Sequence, residues 1–232
     1  MIDWHSHVLP KMDDGSRNVD ESLQMLELLK KQAVKTVVAT PHFYANEETV
    51  DEFLSRRSKA NEELCSAMGE SGIRLACGAE VRYYPGIGRM QDLSKLAIEG
   101  TNLLLLEMPM GKWTEATVNE LTKLSATCGL RIVMAHIDRY LGFIDLKTVN
   151  RLCENGLMIQ VNASFFERIG TRRKALKMLD LGLIHFIGSD CHNLTTRPPK
   201  VCSAYELVSK RFGEDFLSQM TEFGNRMLGG NN

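Results

Sequence analysis

"MIDWHSHV", residues 1–8, is an apolar run that ends in two histidines spaced by two. Alternation along a strand sends His5 and His7 to the same face, roughly 6.6–6.8 Å apart along the chain. "HFIGSDCH" (185–192) closes in the same manner, with Asp190 and His192 two apart. Five similar runs lie between them: "KTVVATPH" (35–42), "IRLACGAEV" (73–81), "NLLLLEMP" (102–109), "RIVMAH" (131–136) and "LMIQVNA" (157–163). Each is short and apolar or β-branched, so each is predicted as a strand. Amphipathic stretches separate them. "VDESLQMLELLKKQAV" (19–34) sets Leu23, Leu26, Leu29 and Ala33 near helical period. "TEATVNELTKLSATCG" (114–129) begins at a capping Thr114 and stops at Gly129.

Strands alternating with helices predict an α/β fold of parallel β/α units. About seven strands favour a distorted, closed or nearly closed (β/α)7 barrel of TIM-like type, with a doubly wound open sheet as the alternative. In both architectures, chemistry gathers at the carboxyl ends of the strands. The polar residues fall there. The first strand ends in His5 and His7, the second in His42, the third near Glu80, the fourth near Glu107, the fifth in His136, and the last in Asp190 and His192. "DDGS" after the first strand adds a carboxylate, Asp14 by preference and Asp13 as the alternative. A single histidine at a strand end is more often a hydrogen-bonded core residue, and a single glutamate more often half of an ion pair. Recurrence on one rim is what points to metal. Imidazole nitrogens with hard carboxylates suit Zn, Mn, Fe or Co. His185, at the start of its strand, is read as a buried hydrogen-bonding residue.

The 232 residues allow one domain, 1–232, with a sizeable core. A net charge of -1 gives no footprint for nucleic acid or an anionic membrane. No apolar run reaches membrane length. The N-terminus lacks a basic region followed by an apolar one, and the six cysteines are scattered, so a cytoplasmic protein with reduced thiols is expected.

"MIDWHSHVLPKMDDGS", "ATPHF", "GAEV", "LLLEMP", "MAHIDRY" and "GSDCHNLTTRPP" together resemble the PHP (polymerase and histidinol phosphatase) superfamily. Within it they most resemble the CpsB/CapC-type bacterial manganese-dependent protein tyrosine phosphatases, over residues 1 to about 200 and loosely beyond. The resemblance implies a distorted barrel with three divalent ions, Mn2+ by family habit, at the strand ends. His5, His7, Glu80 and Asp190 would hold one ion, and Glu80, Glu107 and His136 a second, with Glu80 bridging. Asp14, His42 and His192 would hold the third. Arg139 and Arg197 match positions near the phosphate, where a guanidinium fork offsets charge in the transition state. Asp138 is a candidate proton donor to the leaving phenolate, or an orienting group, and faces with His136 if the strand persists. The implied substrate is a phosphotyrosine protein, the tail of a bacterial tyrosine kinase controlling capsule or exopolysaccharide synthesis. Another phosphoesterase of the superfamily, acting on histidinol phosphate or on nucleotide or nucleic-acid ends, is the main alternative. A catalytically silent metal-binding regulatory module is the other. The chain departs from the family pattern at Cys191, where a small residue such as Ala is expected, and at "GNRML", which lacks a Pro after Asn225.

Cys191 and Arg197 also satisfy C-x5-R, the spacing of phosphatases that attack with a thiolate. Such a loop aims consecutive backbone N–H groups at phosphate and uses glycines, but "CHNLTTR" has none. Asp190 beside the thiol would raise its pKa rather than lower it. Cys191 is therefore read as a packing residue.

Overall fold

All seven predicted strands carry β-structure, and two of them break in the middle. The computed structural model describes residues 1–229. In chain order it contains β1 (Ile2–Ser6), α1 (Val19–Lys31), β2 (Thr36–Ala39), β3 (His42–Phe43), α2 (Val50–Met68), β4 (Arg74–Cys77) and β5 (Glu80–Arg82). There follow β6 (Leu103–Glu107), α3 (Glu115–Cys128), β7 (Arg131–Met134), α4 (Leu146–Glu154), β8 (Met158–Asn162), α5 (Ser164–Glu167), α6 (Ile169–Asp180), β9 (Phe186–Gly188), α7 (Cys202–Phe212) and α8 (Glu214–Met227). No described helix is long and apolar enough to cross a membrane.

The predicted strand at 35–42 splits into β2 and β3 around Pro41, which has no N–H for a ladder. That at 73–81 splits into β4 and β5 at Gly78 and Ala79. Pairing follows the split: β1–β2–β4 form one parallel sheet, and β3–β5–β6–β7–β8–β9 another. The sheet curls until β9 returns to β1. Asp190 N donates to His5 O at 2.8 Å, and His7 N donates to Cys191 O at 2.9 Å. The approach is close enough that a Cβ on Gly188 would lie 2.7 Å from His5 Cβ, so only glycine fits. Asp3 reaches across the same seam, accepting from Ser189 N at 2.7 Å and Ser189 Oγ at 2.6 Å.

Alternation divides the side chains of the sheet between two apolar clusters. Ile2, Trp4, Val38, Ala76, Leu103, Leu105, Val133 and Phe186 fill the inside of the curl, with Phe223 and Met227 of α8 packed against them. Leu104, Leu106, Ile132, Met134, Ile159 and Val161 face outward into the larger cluster shared with the helices. The α3 ends read from sequence coincide with the structure: Thr114 accepts from Thr117 N, and Gly129 caps the helix at φ 67°. The α1 pattern stops earlier than expected, at Lys31, with Ala33 at φ 60° in the turn that follows.

Candidate metal centre

Glu80, at the break between β4 and β5, is sealed from solvent and touches four histidines. Its Oε2 lies 3.1 Å from His5 Nε2, 3.3 Å from His7 Nε2 and 3.1 Å from His42 Nδ1, while Oε1 lies 2.7 Å from His136 Nε2. Asp190 Oδ1 stands 3.6 and 3.5 Å from the same His5 and His7 nitrogens. Asp14 Oδ1 is 3.5 Å from His42 Nε2 and 3.3 Å from His192 Nε2. Glu107 Oε1 is 3.6 Å from His136 Nε2, and its other oxygen accepts from Arg82 Nη1 at 3.0 Å. The structure thus brings together all nine side chains that the sequence placed at strand ends. Three groups have ligand atoms within 4.8 Å of one another: His5, His7 and Asp190; His7, Asp14, His42 and His192; and His42, Glu80 and Glu107. In the last, His42 stands where the resemblance puts His136, which approaches Glu80 from the other side.

Plain strand geometry does not aim these groups. β1 shifts register between Asp3 and Ser6, a bulge that turns His5 inward above Trp4. His136 follows the end of β7 at φ 29°, and Asp190 follows β9 at φ 54°; both conformations are costly for residues with a Cβ. The strand therefore does not persist to Asp138, as the sequence reading required. Residues Ile137–Tyr140 form a 3-10 turn, and Asp138 Oδ1 instead accepts from Asn162 N at 2.9 Å.

Burial opposes ionisation of Glu80 and Asp190, yet both carboxyls are held well below their ordinary range. His5 and His136 do this for Glu80, and His5, His7 and Arg139 for Asp190. His192 is pushed down to about 3 by burial, His7 and Arg197, so it presents a neutral imidazole. The donor set suits a divalent cation. His42 Nδ1 and His192 Nε2 are buried without a hydrogen-bond partner, although each has a carboxylate oxygen within 3.3 Å. Nitrogen and oxygen that approach without bonding each other are arranged to share an ion. Among the described residues, no cysteine joins these groups.

Asp13 and Asp14 divide the labour of the "DDGS" turn. Asp13 is tied inward, accepting from His7 Nδ1 at 2.6 Å, His42 N at 2.7 Å and Gly15 N at 2.9 Å. Asp14 is 67% exposed and faces His42 and His192. A carboxylate behind a ligating histidine fixes its ring and tautomer. Asp13 was weighed in the sequence only as a ligand, and this orienting contact was missed. Gln160 and Asn162, wholly or nearly buried on β8, were also missed, although "IQVN" repeats the two-residue polar spacing of the other strand ends.

Beside the centre lies a cleft of about 350 Å³, lined by Asp138, Arg139, Asn162, Arg168, Arg197 and Lys200. Arg139 Nη2 pairs with Asp190 Oδ2, and Arg197 Nη2 lies 2.6 Å from Asp190 Oδ1; both guanidiniums are about one-third exposed. Burial pushes the Asp138 carboxyl up. Cys191 is fully buried in the larger apolar cluster, and burial followed by the charge of Asp3 drives its thiol far above the usual range. The N–H groups after it are consumed locally: those of Thr195, Thr196 and Arg197 bond Asn193 Oδ1, and that of His192 bonds Arg197 O. No phosphate cradle forms in this segment. His185 is a partly buried hydrogen-bonding residue, its Nδ1 accepting from Ile159 N at 3.1 Å.

Fold and site define a class: a parallel β/α protein with a polyhistidine–carboxylate centre at the carboxyl ends of its strands. The chain belongs to the CpsB/CapC family, whose model, described as "Capsular polysaccharide synthesis, CpsB/CapC", matches residues 1–227. It is 31% identical over 231 residues to the tyrosine-protein phosphatase CpsB of Streptococcus pneumoniae, covering 92% of this chain and 91% of that one. It is 30% identical over 247 residues to the tyrosine-protein phosphatase YwqE of Bacillus subtilis (strain 168), covering 98% and 91%. A solved structure from work on YwqE of B. subtilis and CpsB of S. pneumoniae, described as unique metal-dependent tyrosine phosphatases, superimposes with a TM-score of 0.85. That match has 25% identity and covers 100% of this chain and 96% of the other.

Proposed function

We propose that this chain is a metal-dependent protein tyrosine phosphatase that hydrolyses phosphotyrosine without a covalent phosphoenzyme. One observation carries the reading: five histidines and four acids, from the ends of six strands and the turn after β1, converge beside two partly exposed arginines. We read residues 1–232 as one domain and its fold as a distorted (β/α)7 barrel. Nine strands, with β2/β3 and β4/β5 each counted as one broken strand, make seven. Three divalent ions, with Mn2+ preferred and Fe, Co or Zn as alternatives, fit the nine side chains. His5, His7, Glu80 and Asp190 would hold one, Glu80, Glu107 and His136 another, and Asp14, His42 and His192 the third. Such ions supply reactive water at neutral pH and polarise phosphoryl oxygens.

The chain's own groups do the rest. Arg139 and Arg197 bind the phosphoryl oxygens and offset the charge that grows on them. Arg168 and Lys200, on the same cleft, draw in the dianionic ester. Asp138, held at the cleft by Asn162 N, hands its proton to the leaving phenolate oxygen. Cys191 takes no part. The names carried by the relatives favour phosphotyrosine over other phosphomonoesters. We infer that the substrate is the tail of a bacterial tyrosine kinase controlling capsule or exopolysaccharide synthesis, in the cytoplasm. The test offers the Mn-loaded chain a phosphotyrosine peptide, a phosphoserine peptide and histidinol phosphate. The phosphotyrosine peptide is expected to give the highest kcat/KM; preference for histidinol phosphate overturns the reading.

A further inference from the structure

β8 supplies none of the nine side chains, yet its two inward polar residues touch two of them, His5 and Asp190, and the backbone of a third, His136. Gln160 is wholly buried. Its Oε1 accepts from His136 N at 2.6 Å and faces His5 Nδ1 at 3.2 Å. Its Nε2 donates to Val161 O at 2.8 Å and to Asn162 Oδ1 at 3.2 Å. Asn162 Nδ2 in turn donates to Asp190 Oδ2 at 2.9 Å.

The partners fix the orientation of the Gln160 amide. A backbone N–H can only donate, so the atom at His136 N is the oxygen; a backbone carbonyl can only accept, so the atom at Val161 O is the nitrogen. His5 Nδ1 therefore faces an obligate acceptor and must carry a hydrogen. A neutral imidazole protonated at Nδ1 has its lone pair at Nε2, the atom that faces Glu80 and Asp190. The same oxygen holds the backbone of His136 at φ 29°, the turn that swings its ring into the centre. An amide does both without adding negative charge to a cluster that already holds four carboxylates.

We propose that Gln160 is a positioning residue that sets the tautomer of His5 and the backbone aim of His136, with Asn162 extending the same network to Asp190. The proposal rests on the reading of His5 and His136 as metal ligands. Its test compares Gln160→Met, which keeps the volume but removes the acceptor, with Gln160→Glu, which keeps the acceptor. For each full chain, Mn2+ affinity is measured by calorimetry and thermal stability by unfolding. Nitrogen-15 spectra of the zinc-loaded protein report the proton position on His5. Gln160→Met is expected to weaken Mn2+ binding about 10–100-fold, with loss of the His5 Nδ1–H signature, as for other groups behind a ligand. Gln160→Glu is expected to keep that signature, at a cost in thermal stability because the donor to Val161 O is lost and a buried charge is added. A folded Gln160→Met variant with native affinity and an unchanged His5 spectrum overturns the proposal. So does a folded Gln160→Glu variant that loses the His5 Nδ1–H signature, a result that decides the matter if the methionine variant does not fold. A native chain that binds no Mn2+ sinks the metal-centre reading itself, a distinguishable failure.

Discussion

His5 and Arg139 both reach Asp190, but they do so from differently built regions. His5 belongs to a sealed floor, where Nδ1 is tied to Gln160 and Nε2 faces Glu80 and Asp190. Arg139 belongs to a rim that is one-third exposed and lines an open cleft. Two of its rings have a fixed partner behind them, His5 at Gln160 and His7 at Asp13. The rim is less constrained, and its guanidinium groups retain donors for a visiting anion. On the proposed function the difference is a division of labour: the floor would hold cations, and the rim phosphate.

The largest effect that can break this comparison is at Glu80. Glu80→Gln removes the one carboxylate that four histidines share. Metal content should fall, and Mn-dependent cleavage of an aryl phosphate should drop by at least about 100-fold. Full metal content with full activity would show that Glu80 is not a metal ligand. Arg139→Ala tests the rim. Here kcat should fall about 10²–10³-fold, as when one charge-stabilising donor is lost, while bound metal stays at the native level. Metal lost in parallel with activity would erase the distinction between rim and floor.

Cys191 sharpens the comparison from beneath the floor. Its thiol lies in the apolar layer between sheet and helices, out of reach of the cleft. Cys191→Ser should retain most activity and metal, while stability falls by about 1–3 kcal/mol because a hydroxyl enters an apolar site. Activity lost with folding and metal intact would restore the thiolate reading of C-x5-R.

How much of this was legible in the sequence depends on the range of the forces involved. The two-residue spacing of His5 and His7, and of Asp190 and His192, is a local pattern, and the structure brings these four residues together. The bulge in β1 and the positive φ of His136 and Asp190 were hidden, because they are imposed by partners far along the chain. His5 and Gln160, 155 residues apart, meet only when β1 and β8 curl toward each other. Gln160 carried the right spacing but not the expected chemistry, since a neutral amide announces neither metal nor proton transfer. The direction of Asp138 was hidden for a related reason. Its face was projected from an alternation that stops at Met134, where the chain turns to bring Arg139 to the rim.

The smallest expected effect lies away from both regions, at His185. Its Nδ1 accepts from Ile159 N, and burial holds its pKa below the ordinary value. The folded state therefore binds this proton more weakly than the unfolded chain, whose histidine titrates near about 6.5. Above that pH neither state binds it, and the full contribution to stability is present. As pH falls through about 6.5 toward the lower folded value, the unfolded chain takes up a proton that the folded one does not, and stability is lost. His185→Gln supplies an oxygen acceptor for Ile159 N and cannot titrate, so subtracting its Tm from the native Tm at each pH removes the titrations of the distant ligands. That difference should move against the native chain between pH 7 and pH 5. If it stays constant, this histidine is not held neutral by its place beside β8 at the start of β9.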